Sequence, residues 1–371
     1  MIVKNEEEVL ARCLDSIKNA VDEIIIIDTG STDKTKQIAE KYTNRVYDFE
    51  WINDFSAARN EAFSKATCDY QMWLDADDIF PKKSLKNLIR LKKTLDPTID
   101  IVTMKYITHF DKNGIPILSS TRERLLRREK NYQWQDPVHE CIPLIGNVFN
   151  TDIEVHHKKE KHTDSRRNLD IYINLEKSGT PLTPRQQYYY ARELKDHGFW
   201  VNAVYYFEKF LESEKGWFED NIATCYNLSI CYNALGDNQK KLPILIKSFA
   251  YDSPRAEICC EIGYYYKHKK QYATALNWFT IAINLGKPNN QGFILADYWG
   301  YIPSIECAVC HYHLGNIPLA IQSNENAAKF KPNAPAVQGN REFFSKLINK
   351  SAPTTVQHSP HQRDGEQIHC L

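Results

Sequence analysis

Along this chain the rhythm of apolar and polar positions changes part-way. In the first half, short apolar runs alternate with amphipathic stretches. "EIIIID" (residues 23–28) is a continuous β-branched run, as expected of a strand buried on both faces in a parallel sheet. It ends in "TGSTDKTKQIAEKY", where Gly30 permits a tight turn and Ser31, Thr32 or Asp33 can cap a following helix. Upstream, "EEEVLARCLDSIKNA" has apolar residues at helical spacing. "RVYDFEW" reads as a strand, and "DFSAARNEAFSKAT" as a helix starting near Asp54 or Ser56. "YQMWLD" is a strand, followed by the helix "PKKSLKNLIRLKKTL" with Pro81 in its first turn. "DIVTMKYITHF" and "IPILSS" flank the turn "DKNG", which predicts a hairpin. Alternating βα units followed by an antiparallel section predict an α/β fold with a mixed sheet.

After about residue 158 the pattern becomes helical. "HKKEKHTDSRRNLDIYINLEKSG" reads as a charged connecting helix. Beyond Pro184, four segments recur: "YYYARELKDHGFWVNAVYYFEKFLE", "CYNLSICYNALGDNQKKLPILIKSF", "CCEIGYYYKHKKQYATALNWFTIAI" and "SIECAVCHYHLGNIPLAIQSNENAA". Each puts small and aromatic residues on one helix, then a turn, then an Ala-containing helix. That is the tetratricopeptide pattern, here unevenly spaced about its ideal period of about 34 residues. The predicted organisation is an α/β domain over 1–160, a charged helical linker over 161–184, an all-α repeat solenoid over 185–350 and a disordered tail over 351–371, which is polar and aperiodic.

Composition narrows the function. Of 371 residues, 47 are Lys or Arg and 47 are Asp or Glu, so no net field draws the chain to nucleic acid. No apolar run approaches the roughly 20 residues that span a bilayer. The start "MIVKNEEEVL" lacks the basic and apolar regions of a signal peptide. Ten cysteines without a short disulfide framework fit a reducing compartment. The expected location is the cytoplasm, with the inner face of the membrane as a peripheral address. "CAVCHYH" contains the C-x-x-C-H haem-attachment pattern, but inside a repeat helix its cysteines are expected to be core filler.

The chemistry concentrates in "WLDADD", where Asp75, Asp77 and Asp78 follow a buried run. Carboxylates this close repel unless solvated or shared with a cation. Two of them one residue apart can hold Mg²⁺ or Mn²⁺ and leave positions open for phosphate oxygens. Without a ligand, Asp77 and Asp78 would simply cap the helix near Pro81.

Four segments in order, "MIVKNEEEVLARCLDSI", "DEIIIIDTGSTDKT", "FSAARNEAFSKA" and "WLDADD", resemble family 2 glycosyltransferases of the GT-A fold. The likeness is to bacterial enzymes with tetratricopeptide-like repeats behind the transferase domain, acting on lipo-oligosaccharide or on peptides. The resemblance implies that the backbone of residues 2–5 (Ile2, Lys4 and Asn5 among them) lines a base pocket, with Glu6 near the ribose. Asp28 would bond the base or ribose. Arg59 would face the diphosphate, with Asn60 bracing its loop. Asp75 and Asp77 would hold nucleotide sugar and metal, Asp77 most directly, and Asp78 would start a helix. "YQWQDPVHECI" resembles the family segment ending in V-H-E. Glu140 would be the base that deprotonates the acceptor, with Asp136 the rival carboxylate and His139 shaping the acceptor or diphosphate side. His157, in "IEVHHKKEKH", would complete the metal site.

The resemblance implies a metal-dependent, inverting transfer from a nucleotide-diphosphate sugar, UDP preferred, to a saccharide, lipid-linked or peptide acceptor. The repeats would present the acceptor, bind a partner protein or self-associate. A non-catalytic repeat scaffold on a decayed transferase domain is the alternative. A nucleotidyltransferase would need a Gly- and Arg-rich phosphate loop where "NEEEVL" stands. Family members carry residues ahead of "MIVKNEE" that complete a central strand. Either the start lies upstream, or that strand is short.

Overall fold

The structure, a computed structural model, describes residues 1–111, 114, 116–158, 166–286 and 294–351. Residues 112–113 of the predicted "DKNG" turn, 159–165 of the charged segment and the tail from 352 lie outside these. Two compact units form, one built on Met1–Phe199 and one on residues from Trp200 onward.

The first unit is α/β. Strands β1 (Ile2–Val3), β2 (Ile26–Asp28) and β3 (Val46–Asp48) form a parallel sheet, with Val3 level with Asp28 and Asp28 with Asp48. Helices α1 (Leu10–Ile17), α2 (Thr35–Ala39) and α3 (Phe55–Ser64) connect them and lead to β4 (Tyr70–Met72). After β5 (Asp78–Ile79) and α4 (Lys82–Thr94) come the long strands β6 (Ile101–Phe110), β7 (Pro116–Arg127) and β8 (Val148–His157). These five strands make a mixed sheet in the order β4-β7-β6-β8-β5, antiparallel except where β6 meets β8.

Helix α1 joins the two sheets because it is apolar on two adjoining stripes. Leu10 and Leu14 pack with Val3 and Ile26, while Cys13 and Ile17 pack with Leu74, Leu88, Met104 and Val155. The predicted strand over 23–28 is realised as a ladder only from Ile26, since β1 offers two paired residues. Residues 23–25 instead border an apolar cavity of about 570 Å³ whose far side is residues 70–72.

Two helices differ from expectation in their placement. The predicted connector and the first predicted repeat helix, α5 (Arg167–Lys177) and α6 (Pro184–Asp196), both belong to the first unit. Tyr172 of α5 and Tyr190 of α6 are buried with rings 5.4 Å apart, and the Tyr190 hydroxyl donates to Glu176. Helix α6 opens with a reciprocal cap: Thr183 accepts from the Gln186 amide and donates its own N–H to the Gln186 side chain.

The second unit is a run of helices: α7 (Trp200–Glu212), α8 (Phe218–Ala234), α9 (Asn238–Lys247), α10 (Ala256–His268), α11 (Tyr272–Asn284), α12 (Tyr301–His313), α13 (Ile317–Ala328) and α14 (Pro335–Ser351). Sequence neighbours pack on each other, as in a repeat solenoid. Cys259, Cys260, Cys307 and Cys310 are buried around Phe279, so the C-x-x-C-H match is packing. Gly263 lets Phe279 lie against α10, since a Cβ there would fall 2.7 Å from the ring. Among the described residues no helix is long and apolar enough to cross a membrane.

Phe279 is fully buried between three helices, so Phe279→Ala should destabilise the second unit by about 3–5 kcal/mol. Denaturant unfolding followed by circular dichroism checks this. A loss under about 1 kcal/mol would mean the site collapses around the gap.

Candidate active site

The strand ends of the parallel sheet carry two loops that lock together. Asp28 Oδ1 accepts from the amides of Gly30 and Ser31 at 2.8 and 2.7 Å, forming the turn after β2. Asn5, at a left-handed φ of 56°, accepts from the Thr32 amide through Oδ1 and donates its own amide to Ser31. The Glu6 amide donates to Thr35. Asp28 is buried, and its Oδ2 has no hydrogen-bond partner among the described residues. Leaving a buried carboxylate oxygen unbonded is costly, so this atom is suited to a donor from outside the chain.

Beside these loops lies a cavity of about 540 Å³. Of the residues singled out in the sequence, Ile2, Lys4, Glu6, Arg59 and Asp75 line it, as do Asp77, His139, Glu140 and His157. Asn5, Asp28, Asn60 and Asp136 stand outside its lining.

Arg59 sits at the centre. Its Nη2 donates to Asp75 Oδ1 at 2.7 Å and its Nε to Glu140 Oε1 at 2.6 Å. The guanidinium carbon lies 5.2 and 4.9 Å from the rings of Trp73 and Trp134. Burial alone would raise the Asp75 carboxyl, but the Arg59 charge and hydrogen bond hold it down to about 2. Burial would likewise lower Arg59, and its two carboxylates more than reverse that. The expected diphosphate contact is therefore an arginine already engaged by two acids. Asn60 holds the adjoining loop, donating to the Trp134 carbonyl and accepting from its amide.

A second cluster lies one turn further on. Ligand atoms of Asp77, Asp78 and His157 fall within 4.8 Å of one another. Burial would lower the His157 imidazole, but hydrogen bonds and charge from Asp77 and Asp78 push it up to about 10. Asp78 was expected to start a helix; it lies in β5, fully buried, and Pro81 takes the position ahead of α4. Its oxygens accept from the Asp75 amide, the Tyr106 hydroxyl and Arg124. Asp75, expected to hold nucleotide sugar and metal with Asp77, lines the same cavity, with its Oδ1 accepting from Arg59. Asp77 and His157 thus keep ligand capacity, while Asp78 braces the loop beneath them. The carboxylate of Asp77 and the imidazole of His157 offer the oxygen and nitrogen donors that a divalent cation takes.

Several residues here drew no attention in the sequence. Arg124 is fully buried, 3.7 Å from the Trp73 ring centre and 4.4 Å from that of Tyr106. Its neighbour Arg122 lines the cavity. "TRERLLR" did carry a signal, since three arginines in a stretch of strand with two leucines need partners wherever the strand is buried. Helices α5 and α6 supply Arg167, Asn168, Arg185, Tyr189 and Arg192 to the same cavity. Nothing in their repeat-like sequence marked them.

A parallel α/β half thus carries, beside the loops at its strand ends, a cavity lined by carboxylates and arginines. Residues 1–146 match the family described as Glycosyl transferase family 2, and the N-terminal region is a domain of that family. The chain is similar to the glycosyltransferase SunS of Bacillus phage SPbeta, 28% identical over 232 residues, covering 58% of this chain and 53% of that one. It is 37% identical over 142 residues to a TPR repeat-containing protein of Synechococcus elongatus, covering 38% of this chain and 34% of the relative. The lipopolysaccharide core biosynthesis glycosyltransferase LpsC of Rhizobium meliloti is 28% identical over 158 residues, 40% of this chain and 58% of its own length. The chain therefore spans between about a third and three fifths of these relatives. Among solved structures, a thermophilic TPR protein of Thermus thermophilus overlays half of the chain at 15% identity and a TM-score of 0.35.

Arg124 lies 3.2 Å from one oxygen of the buried Asp78 carboxylate, whose other oxygen faces His157 and the Tyr106 hydroxyl. Arg124→Ala should cost about 3–5 kcal/mol by stranding that charge. Adding Asp78→Asn should return part of the loss. Equilibrium denaturation of the three proteins checks it, and a double variant less stable than the single one would contradict this pairing.

Proposed function

We propose that the protein is a metal-dependent, inverting glycosyltransferase that moves a sugar from a UDP-sugar to an acceptor hydroxyl or thiol. The observation that carries this is the meeting, in one cavity, of the β1 loop, the Asp77–His157 pair and the Arg59-bound Glu140. The transferase part, first expected to end near residue 160, is taken to continue through α6.

The uridine and ribose would lie along residues 2–6, with Asp28 Oδ2 taking a donor from the base or a ribose hydroxyl. Asp77 and His157 would hold Mn²⁺ or Mg²⁺. When bound, such an ion neutralises charge growing on the leaving diphosphate. Arg59 fixes Asp75 and Glu140 relative to each other, so the loop after β4 and the loop before β8 keep one spacing. Glu140 would accept the proton of the acceptor as it attacks the anomeric carbon. Asp136 fits that role less well, since its carboxylate accepts from Gln186 and lies outside the cavity lining. The acceptor is a saccharide, a lipid-linked sugar or a peptide, and the repeats are its presenting surface or a dimer contact. The scaffold alternative is opposed by the assembled carboxylates and arginines of this cavity.

Asp77→Asn should abolish the gain in UDP affinity that Mn²⁺ confers on the wild type, measured by calorimetry with Mn²⁺ and with EDTA. Equal UDP affinity in both conditions for the wild type would sink the metal reading. Glu140→Gln should keep UDP binding and lose about 10²–10⁴ in turnover of a UDP-sugar. If Asp136→Asn is the inactive variant and Glu140→Gln is not, the base is Asp136.

A further inference from the structure

We propose that α5 and α6, which lie beyond the matched family region of 1–146, are part of the catalytic unit and position the Glu140 loop, with Glu193 and Gln186 as positioning residues. This rests on the reading of Glu140 as the base.

The loop from Gln135 to Cys141 is closed by two backbone hydrogen bonds between those residues, at 2.9 and 3.1 Å. Inside it, Asp136 and His139 have φ of 74° and 54°. Side-chain-bearing residues avoid that left-handed region, so the loop needs outside restraint to stay there. The restraint is visible at four consecutive carbonyls. The Asp136 carbonyl accepts from Ser56 and the Pro137 carbonyl from the Phe55 amide, both at the start of α3. The Val138 carbonyl accepts from the Tyr172 hydroxyl of α5, and the His139 carbonyl from Arg185 of α6. No carbonyl between the strained residues is left to solvent.

Side chains repeat the pattern. Gln186 donates to Asp136 Oδ1 at 2.8 Å. Glu193 accepts from His139 Nε2 at 2.7 Å and from Asn168 at 3.2 Å. Tyr189 stacks on the His139 ring at 4.4 Å, with a tilt of 16°. Two residues in left-handed backbone, Asp136 and His139, are thus each held by a side chain of α6, and Glu140 follows directly. Glu193 is mostly buried and has no place in the cavity lining, so it touches neither donor nor acceptor. It acts through the residues it holds, His139 above all and Asn168 beside it.

The test uses the full-length chain with Gln186→Ala, Glu193→Ala and Glu193→Gln, each checked by thermal melting. Glu193→Gln keeps an oxygen that accepts from His139, so it serves as the conservative rescue. Hydrogen–deuterium exchange over 135–141 should quicken at least tenfold in Glu193→Ala and return toward wild type in Glu193→Gln. With a UDP-sugar and Mn²⁺, Glu193→Ala should lower kcat about tenfold or more and leave the donor KM unchanged. Unchanged exchange in Glu193→Ala overturns the proposal, as does faster exchange with an unchanged kcat. Loss of UDP affinity in step with kcat also overturns it, because α6 would then serve the donor. Glu140→Gln is run in parallel. If it turns over normally, the base assignment fails by itself, whereas an inactive Glu140→Gln beside a fully active Glu193→Ala fails only the positioning role.

Discussion

Arg59 is the constraint on which the rest of the site depends. Its guanidinium takes a carboxylate on each side, from the loop after β4 and from the loop before β8, and its flat faces lie near Trp73 and Trp134. A buried cation is tolerable only when paired and hydrogen-bonded, and buried acids need the same. The three charges therefore hold one another in place. Because the partners come from separate stretches of chain, satisfying them also sets the spacing of the loops that carry them.

The same principle recurs one layer down. Arg124, Asp78 and Tyr106 form a second buried knot beneath Asp77 and His157, and the Asp75 amide is tied into it. The "DADD" stretch is thus divided by its surroundings. Asp75 answers to Arg59, Asp78 to Arg124, and Asp77 is left beside His157. Three identical aspartates acquire three different duties, and no local rule could have assigned them.

The family domain and the helices after it are also less separable than their sequences suggest. The match to family 2 ends at residue 146, yet the fold that holds the Asp136–Glu140 loop runs on to α6. Hydrogen bonds to consecutive carbonyls from two different helical regions turn a strained loop into a fixed one. Rigid support of this kind is what an active-site carboxylate needs, since a misplacement of about 1 Å costs much of the rate.

The sequence by itself determined the class of each region. Continuous β-branched runs and turn residues gave the α/β half, and recurring small-and-aromatic helices gave the array. Ordered motifs marked the carboxylates, and periodicity and short motifs are local properties that survive in one dimension. Tertiary structure alone decided the partners. It turned Asp75 to Arg59, buried Asp78 in a strand, withdrew Asp136 behind Gln186 and drew α5 and α6 to the first unit. These depend on long-range pairing of buried charges. Residues such as Arg59 and Glu140, or His139 and Glu193, are more than fifty positions apart, and a charge declares its partner only when folding removes the water between them.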